Sequence, residues 1–319
     1  MPARRNRWLF AAQLVVAAVV LWFIGKTLYR QWSDYRAQPL DVHPRWWLIA
    51  LSGLIVLLAY LLLIQTWREI LAGWNARLSF GDAARIWFVS NLGKYVPGKV
   101  WQIGTMAVMA QQQNVSGLAA SGSAILNALV NLAVGIAIAV ITGWSSIQVL
   151  SSGYATLGIV VAFLVVGSLL ALPFLTPHLV RITNRVSGRE LGISALPPRA
   201  IYYAILGNVV AWLAYGAAFE LLVMGVVGEA PGTPTQYIAA YTSSYVLGYL
   251  ALAAPGGLGV RDASIAATLP ALGIATPPQA VVIMVASRIW LTVLELVPSL
   301  IFLARRRLAR PHESTVDST

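Results

Sequence analysis

Two stretches decide how this chain is read. The first is Asn91-Leu92-Gly93-Lys94-Tyr95-Val96-Pro97-Gly98-Lys99-Val100-Trp101-Gln102, and the second is Pro255-Gly256-Gly257-Leu258-Gly259-Val260-Arg261-Asp262. Each interrupts a long apolar run with Pro-Gly and with charge. Proline has no N–H and glycine tolerates unusual dihedrals, so each marks a helix break. The rest of the chain says what is being broken. Of 319 residues, 58% are apolar and only 10% are charged, where a soluble domain carries roughly 25% charged residues. The mean hydropathy is +0.73. A soluble globular enzyme, a disordered chain and a disulfide scaffold are excluded. An all-α polytopic membrane protein is expected, with about six spans and two broken hairpins filling most of the length. There is no cysteine, so thiol catalysis and Cys-ligated metals are excluded as well. The net charge of +11 does not point to nucleic acid, because the basic residues cluster between the apolar runs.

Apolar runs fall near 8–25, 46–66, 84–110, 119–142, 154–175, 201–227, 236–269 and 279–303. The run from Trp8 follows Arg4, Arg5 and Arg7 and ends without a small-residue cleavage site, so it reads as a retained span rather than a signal peptide. Placing the N-tail, 66–85, 176–199 and the tail 304–319 in the cytoplasm puts fourteen Lys/Arg there, against four in the opposite loops. All four of those lie in loop 26–45. This orientation makes the two broken segments hairpins that enter from opposite faces. The order is span, span, hairpin, span, repeated with inverted topology, with half-repeats at 8–142 and 154–303. Inverted repeats with paired broken helices mark transporters that bind substrate near the midplane.

Seven charges remain inside the membrane: Lys94, Lys99, Glu220, Arg261, Asp262, Arg288 and Glu295. Each costs about 3 kcal/mol if it faces lipid at mid-bilayer, so they are expected to face one another or a wet cavity. Lys94 and Lys99 bracket the first break, and Arg261 and Asp262 follow the second. Arg288, Thr292 and Glu295 share one face of the last helix, while Ser123, Asn127 and Asn131 share one face of the helix after the first hairpin. The candidate substrate-binding residues are Lys94, Tyr95, Lys99, Trp101, Asn127, Asn131, Arg261, Asp262, Arg288 and Glu295. Pro97, Gly98, Pro255, Gly256 and Gly257 are the candidate hinges. Arg261 with Asp262 and Arg288 with Glu295 are the expected ion pairs, and Glu220 is either a proton-coupling carboxylate or a paired group. Tyr245 and Tyr249 are candidates, with Tyr95 and Trp101, for a lipid path. The alternative for all of these is interhelical bonding that only holds the bundle together.

Several motifs are rejected. Gly93 to Val100 has the outline of a phosphate-binding loop, but Val100 stands where Ser or Thr must hold magnesium and no strand precedes it. Gly257-Leu258-Gly259 lacks the third glycine of a dinucleotide fingerprint. His43, His178 and His312 lie far apart, so no metal site is expected, and Asn114-Val115-Ser116 is a chance sequon. No cofactor, nucleotide or catalytic residue is expected. In the linker 176–199, Leu179, Ile182 and Val186 fall at helical spacing, and Arg181, Arg185 and Arg189 fall at i, i+4 and i+8. That pattern suits either a short amphipathic helix on anionic lipid or a plain positive-inside linker.

The two broken segments, with Arg288, resemble the signatures of the lysylphosphatidylglycerol synthase transmembrane-region family. The resemblance covers nearly the whole chain. It implies a lipid-translocating membrane domain, without the soluble aminoacyltransferase domain of the bifunctional members and so without lipid synthesis. It also implies an association with polyprenyl-linked sugar pathways. Asp262 stands where the family usually has Glu, and Asn127-Ala128 falls where a Glu-Arg pair is common. The expected function is a flippase-like transporter in a bacterial inner membrane, with both termini cytoplasmic. It would bind the headgroup of a phospholipid or polyprenyl-phosphate lipid in a cationic cavity. The other readings are a non-transporting membrane partner of a glycosyltransferase or lipid synthase, a membrane enzyme acting on lipid-linked substrate, and a small-solute transporter.

Overall fold

The computed structural model describes residues 44–95, 100–144, 152–187, 195–251 and 254–308. The first expected span, Pro97, Gly98, Lys99 and residues 309–319 of the C-tail lie outside the described residues. Those described are helical, with no strand among them. The chain runs through α1 (Trp46–Gly73), α2 (Phe80–Asn91), a 3-10 turn (Leu92–Tyr95), α3 (Val100–Gln111), α4 (Gly117–Thr142), α5 (Ser152–Ser187), α6 (Pro198–Val227) and α7 (Pro234–Leu250). A second 3-10 turn (Pro255–Gly257), α8 (Val260–Ala271) and α9 (Pro277–Leu308) follow. Five of these helices, α1, α4, α5, α6 and α9, are long and apolar enough to cross a membrane.

Local chemistry sets the ends. Ser79 accepts a hydrogen bond from the Asp82 N–H at 3.1 Å and starts α2. Pro198 and Pro234 sit in the first turns of α6 and α7, where a missing N–H costs nothing. Gly228 ends α6 in the left-handed conformation. Helix α5 differs from the expectation of a span stopping near 175, since it continues to Ser187 through Pro173 and Pro177. Pro177 has no N–H to offer the Pro173 carbonyl, and the Thr176 hydroxyl supplies the missing donor at 3.0 Å. Residues 179–186 of the amphipathic stretch are therefore the end of a long helix, and Arg189 lies outside the described residues.

The pair α1 and α6 forms the centre. Ser52 Oγ donates to the Ala218 carbonyl at 2.6 Å, and small residues let helices approach closely. At Gly216, a Cβ would stand 2.6 Å from Ile238 Cα, so α7 packs on the bare backbone of α6. Around this centre the hairpins are exchanged. Helix α2 of the first hairpin packs on α9, and α7 of the second packs on α4. Helix α3 also packs on α4, and α8 on α9. Exchanging the two halves maps each of these contacts onto its counterpart, and the two broken turns touch each other between them.

The outside of the bundle is apolar. On α5, Phe163 is 76% exposed and Phe174 is 73% exposed. Such surfaces on a protein in water would aggregate, whereas in a bilayer they meet acyl chains. The interior carries the polar groups: Asn127, Asn208, Arg261, Asp262, Arg288 and Glu295 are all buried.

Candidate functional site

The site is built where the two breaks meet. Gly256, Gly257 and Gly259 hold φ values of 57°, 71° and 80°, which favour glycine. They turn the chain between α7 and α8 and strip side chains from the contact. A Cβ on Gly256 would lie 3.2 Å from the Tyr95 ring, and one on Gly257 would lie 3.1 Å from Gly248 Cα. The bare backbone at Gly256 thus receives the tyrosine of the first break.

Beside this contact lies a cavity of about 200 Å³. Every described helix except α5 contributes to its wall. Of the sequence-derived candidates, Lys94, Tyr95, Asn127, Asn131, Arg261, Arg288 and Glu295 are brought together there. The hinge residues Gly256 and Gly257 also line it, as do Tyr245 and Tyr249. Trp101 does not: it is 49% exposed on the outer side of α3. The neighbouring Gln102 faces the cavity instead, because successive helical side chains are rotated by about 100°. Asp262 is buried but is not on the wall. Its carboxylate accepts from the Gly259 N–H at 3.0 Å, capping α8. Glu220 is half-buried on α6, away from the cavity wall.

The ion pairs are not those expected from spacing. Arg288 faces Asp262, with Nη1 and Oδ1 3.9 Å apart, and not Glu295. Glu295 instead pairs with Lys94, two hundred residues away in the chain. It also accepts from the Tyr95 hydroxyl at 2.6 Å and from the Tyr60 hydroxyl at 3.2 Å. Three donors therefore hold Glu295, two on Oε1 and one on Oε2, and Lys94 is paired with it. Tyr60 was not a sequence candidate, because a lone tyrosine in an apolar span carries no local signal.

The two arginines are differently placed. The Arg261 guanidinium lies 5.0 Å from the centres of both the Tyr241 and Tyr245 rings. Desolvated cation–π contacts of this kind are worth up to about 2 kcal/mol each. Arg288 Nη1 donates to the Gly256 carbonyl at 3.3 Å, linking α9 to the second break. Nε and Nη2 of both arginines are buried with no hydrogen-bond partner among the described residues. Three basic side chains, Lys94, Arg261 and Arg288, thus line the cavity with the carboxylate of Glu295, and Asp262 stands behind the wall.

The polar face of α4 divides between structure and site. Ser123 accepts from the indole N–H of Trp67 at 2.9 Å and lies off the wall. Asn127 accepts from Thr66 at 3.2 Å, and Asn131 donates to Asn208 at 2.7 Å, yet both also line the cavity. Asn208 was missed in the sequence, being a single amide in a long apolar run. Trp212 donates to the Asn131 carbonyl at 2.9 Å and meets the Tyr245 ring edge-on at 5.3 Å, joining the amide side of the cavity to the arginine side.

Comparison with known protein families matches residues 10–298 to the lysylphosphatidylglycerol synthase TM region. The chain belongs to this family. The match covers nearly all of the chain, both breaks included. It agrees with the resemblance carried by the two broken segments, and with the apolar helices it makes this a multi-pass membrane protein. Comparison with curated proteins gave no match.

Proposed function

We propose that this member of the family is a flippase-like lipid transporter that moves a phospholipid or polyprenyl-phosphate lipid without transforming it. The headgroup enters the cavity while the acyl chains stay in the bilayer. One observation carries this reading: Arg261 and Arg288 are buried at the wall of the cavity, with N–H groups that lack partners among the described residues. A buried guanidinium carries a desolvation penalty of several kcal/mol, and each unpaired donor adds about 1–3 kcal/mol. A phosphate accepts from both side chains and offsets these costs.

The hairpins suit such a role. At 12 residues each, α2, α3 and α8 are about 18 Å long, short of the ~30 Å hydrocarbon core. That supports re-entrant hairpins entering from opposite faces of a bacterial inner membrane, with both termini cytoplasmic and the breaks meeting near the midplane. The pair between Lys94 and Glu295 ties the first break to α9, and its release frees that break to move. Transport is then passive or ion-coupled.

The test is reconstitution into vesicles carrying fluorescent phosphatidylglycerol, read by dithionite quenching of the outer leaflet. Wild type should flip faster than empty vesicles. Arg288→Gln should lower the rate at least tenfold, matching the loss of a charged hydrogen bond, measured at a temperature where both proteins elute as folded monodisperse species, since the change also leaves Asp262 without its partner. Equal rates for wild type and variant would remove Arg288 from the site. A wild-type rate no faster than empty vesicles would shift the reading to a non-transporting partner of a glycosyltransferase or lipid synthase.

A further inference from the structure

The arginines occupy one side of the cavity, and the other side is made of amides. Gln102 Nε2 donates to Asn91 Oδ1 at 3.0 Å. Asn131 Nδ2 donates to Asn208 Oδ1 at 2.7 Å, and Asn208 Nδ2 reaches Asn127 Oδ1 at 3.5 Å. Each is a head-to-tail chain of amides, and such a chain ends in an unused NH2 group at one end and an unused carbonyl oxygen at the other. In the first, Asn91 Nδ2 and Gln102 Oε1 have no partner among the described residues; in the second, Asn127 Nδ2 and Asn131 Oδ1 have none. In the second chain Asn208 Nδ2 also donates to the Ala204 carbonyl at 2.8 Å, which fixes the direction of that chain. All four of these residues line the cavity, while Asn208 is fully buried behind them. The indole N–H of Trp87, on the same wall one turn before Asn91, is also buried without a partner among the described residues.

A surface of interleaved donors and acceptors selects for groups that do both. A phosphate oxygen only accepts and an ammonium only donates, whereas a hydroxyl donates and accepts. We infer that the headgroup is a phosphodiester bearing several hydroxyls, a polyol or sugar phosphate, with its hydroxyls on Asn91, Gln102, Asn127 and Asn131 and its phosphate on Arg261 and Arg288. This rests on the lipid-headgroup reading above and names its substrate class. Glu295, the carboxylate on the cavity wall among the described residues, already pairs with Lys94 and accepts from Tyr60 and Tyr95, so an amine must compete with Lys94 to reach it. That sets an aminoacyl or ethanolamine headgroup at a disadvantage.

The test is calorimetric titration of the full-length protein in detergent with four soluble probes. These are dihexanoyl phosphatidylinositol, a ten-carbon isoprenyl phosphomannose, dihexanoyl phosphatidylethanolamine and dihexanoyl phosphatidic acid. The two hydroxyl-rich probes should bind about tenfold more tightly than the other two, as expected for two or three extra neutral hydrogen bonds. Whichever of the two binds more tightly names the source of the headgroup. In the double variant Asn91→Leu/Gln102→Leu, phosphatidic acid affinity should stay unchanged and the preference should fall to within about twofold. These two amides pair with each other, so removing both orphans neither. Equal binding of all four probes to wild type overturns the inference and leaves the lipid site standing. So does tighter binding of phosphatidylethanolamine, or a preference that survives in the double variant. Binding by none of the probes overturns the lipid-site reading itself.

Discussion

Replacing Lys94 with Met leaves Glu295 facing two tyrosine hydroxyls and no cation on its own side of the cavity. The Glu295 side chain is 5% exposed, so the stranded carboxylate is poorly solvated, while Lys94 is 19% exposed and stands toward the cavity. Breaking a buried pair by removing one partner costs about 3–5 kcal/mol. Cavity water relieves part of this, which places the loss near the lower bound, about 3 kcal/mol. With the unfolding entropy of soluble proteins applied to 319 residues, that is a fall of about 4–5 °C in melting temperature. Glu295→Gln should cost a similar amount, because it leaves the ammonium of Lys94 unpaired. The double variant Lys94→Met/Glu295→Gln restores neutrality and should recover most of the loss, since an apolar or neutral replacement of a buried pair is often close to isoenergetic. The assay is a double-mutant cycle of thermal unfolding in one detergent. A coupling energy below about 0.5 kcal/mol would refute the pairing, because additive losses at that level describe sites that do not touch.

Further perturbations follow from the same geometry. Gly257→Ala should destabilise the protein by about 1–2 kcal/mol, since φ is 71° and the new Cβ would press on Gly248 at 3.1 Å; an unchanged melting temperature would refute the close packing of α7 on the second break. Arg261→Lys keeps the charge but loses the planar stack between Tyr241 and Tyr245, and binding of phosphatidic acid measured by calorimetry should weaken about tenfold. Equal affinity would mean that charge alone matters at that position. Ser123→Ala should cost about 1–3 kcal/mol by stranding the fully buried indole N–H of Trp67, and much less in a Trp67→Phe background, as thermal unfolding of both pairs will show. The chain has no cysteine, so Arg77→Cys and Glu229→Cys report topology directly. With the proposed orientation, an impermeant maleimide added to intact spheroplasts should label position 229 and spare position 77, and the reverse would invert the assignment.

Much of the fold is legible locally. The apolar runs near 46–66, 119–142 and 201–227 became α1, α4 and α6 because a bilayer demands continuous helical hydrogen bonding over about 20 apolar residues. The second break fell where Pro255-Gly256-Gly257 placed it, since missing donors and positive φ act on the residues that carry them. The continuation of α5 to Ser187 was harder to read, because Thr176 repairs from a side chain the bond that Pro177 removes.

The sequence by itself determined that this is a helical membrane protein with two broken hairpins and too few places to hide its charges. Composition and Pro-Gly punctuation act over a few neighbouring residues, and lipid penalises any other arrangement. Only the tertiary structure decided which charges meet. Neighbours in sequence suggested Arg261 with Asp262 and Arg288 with Glu295, whereas the fold joins Arg288 to Asp262 and Lys94 to Glu295. It also turned Gln102 inward and Trp101 outward, and it set Asn208 behind Asn127 and Asn131. The physical reason is range. An ion pair or hydrogen bond forms within about 4 Å in space, and packing the hairpin of each half on the last helix of the other brings together residues that no sequence window holds.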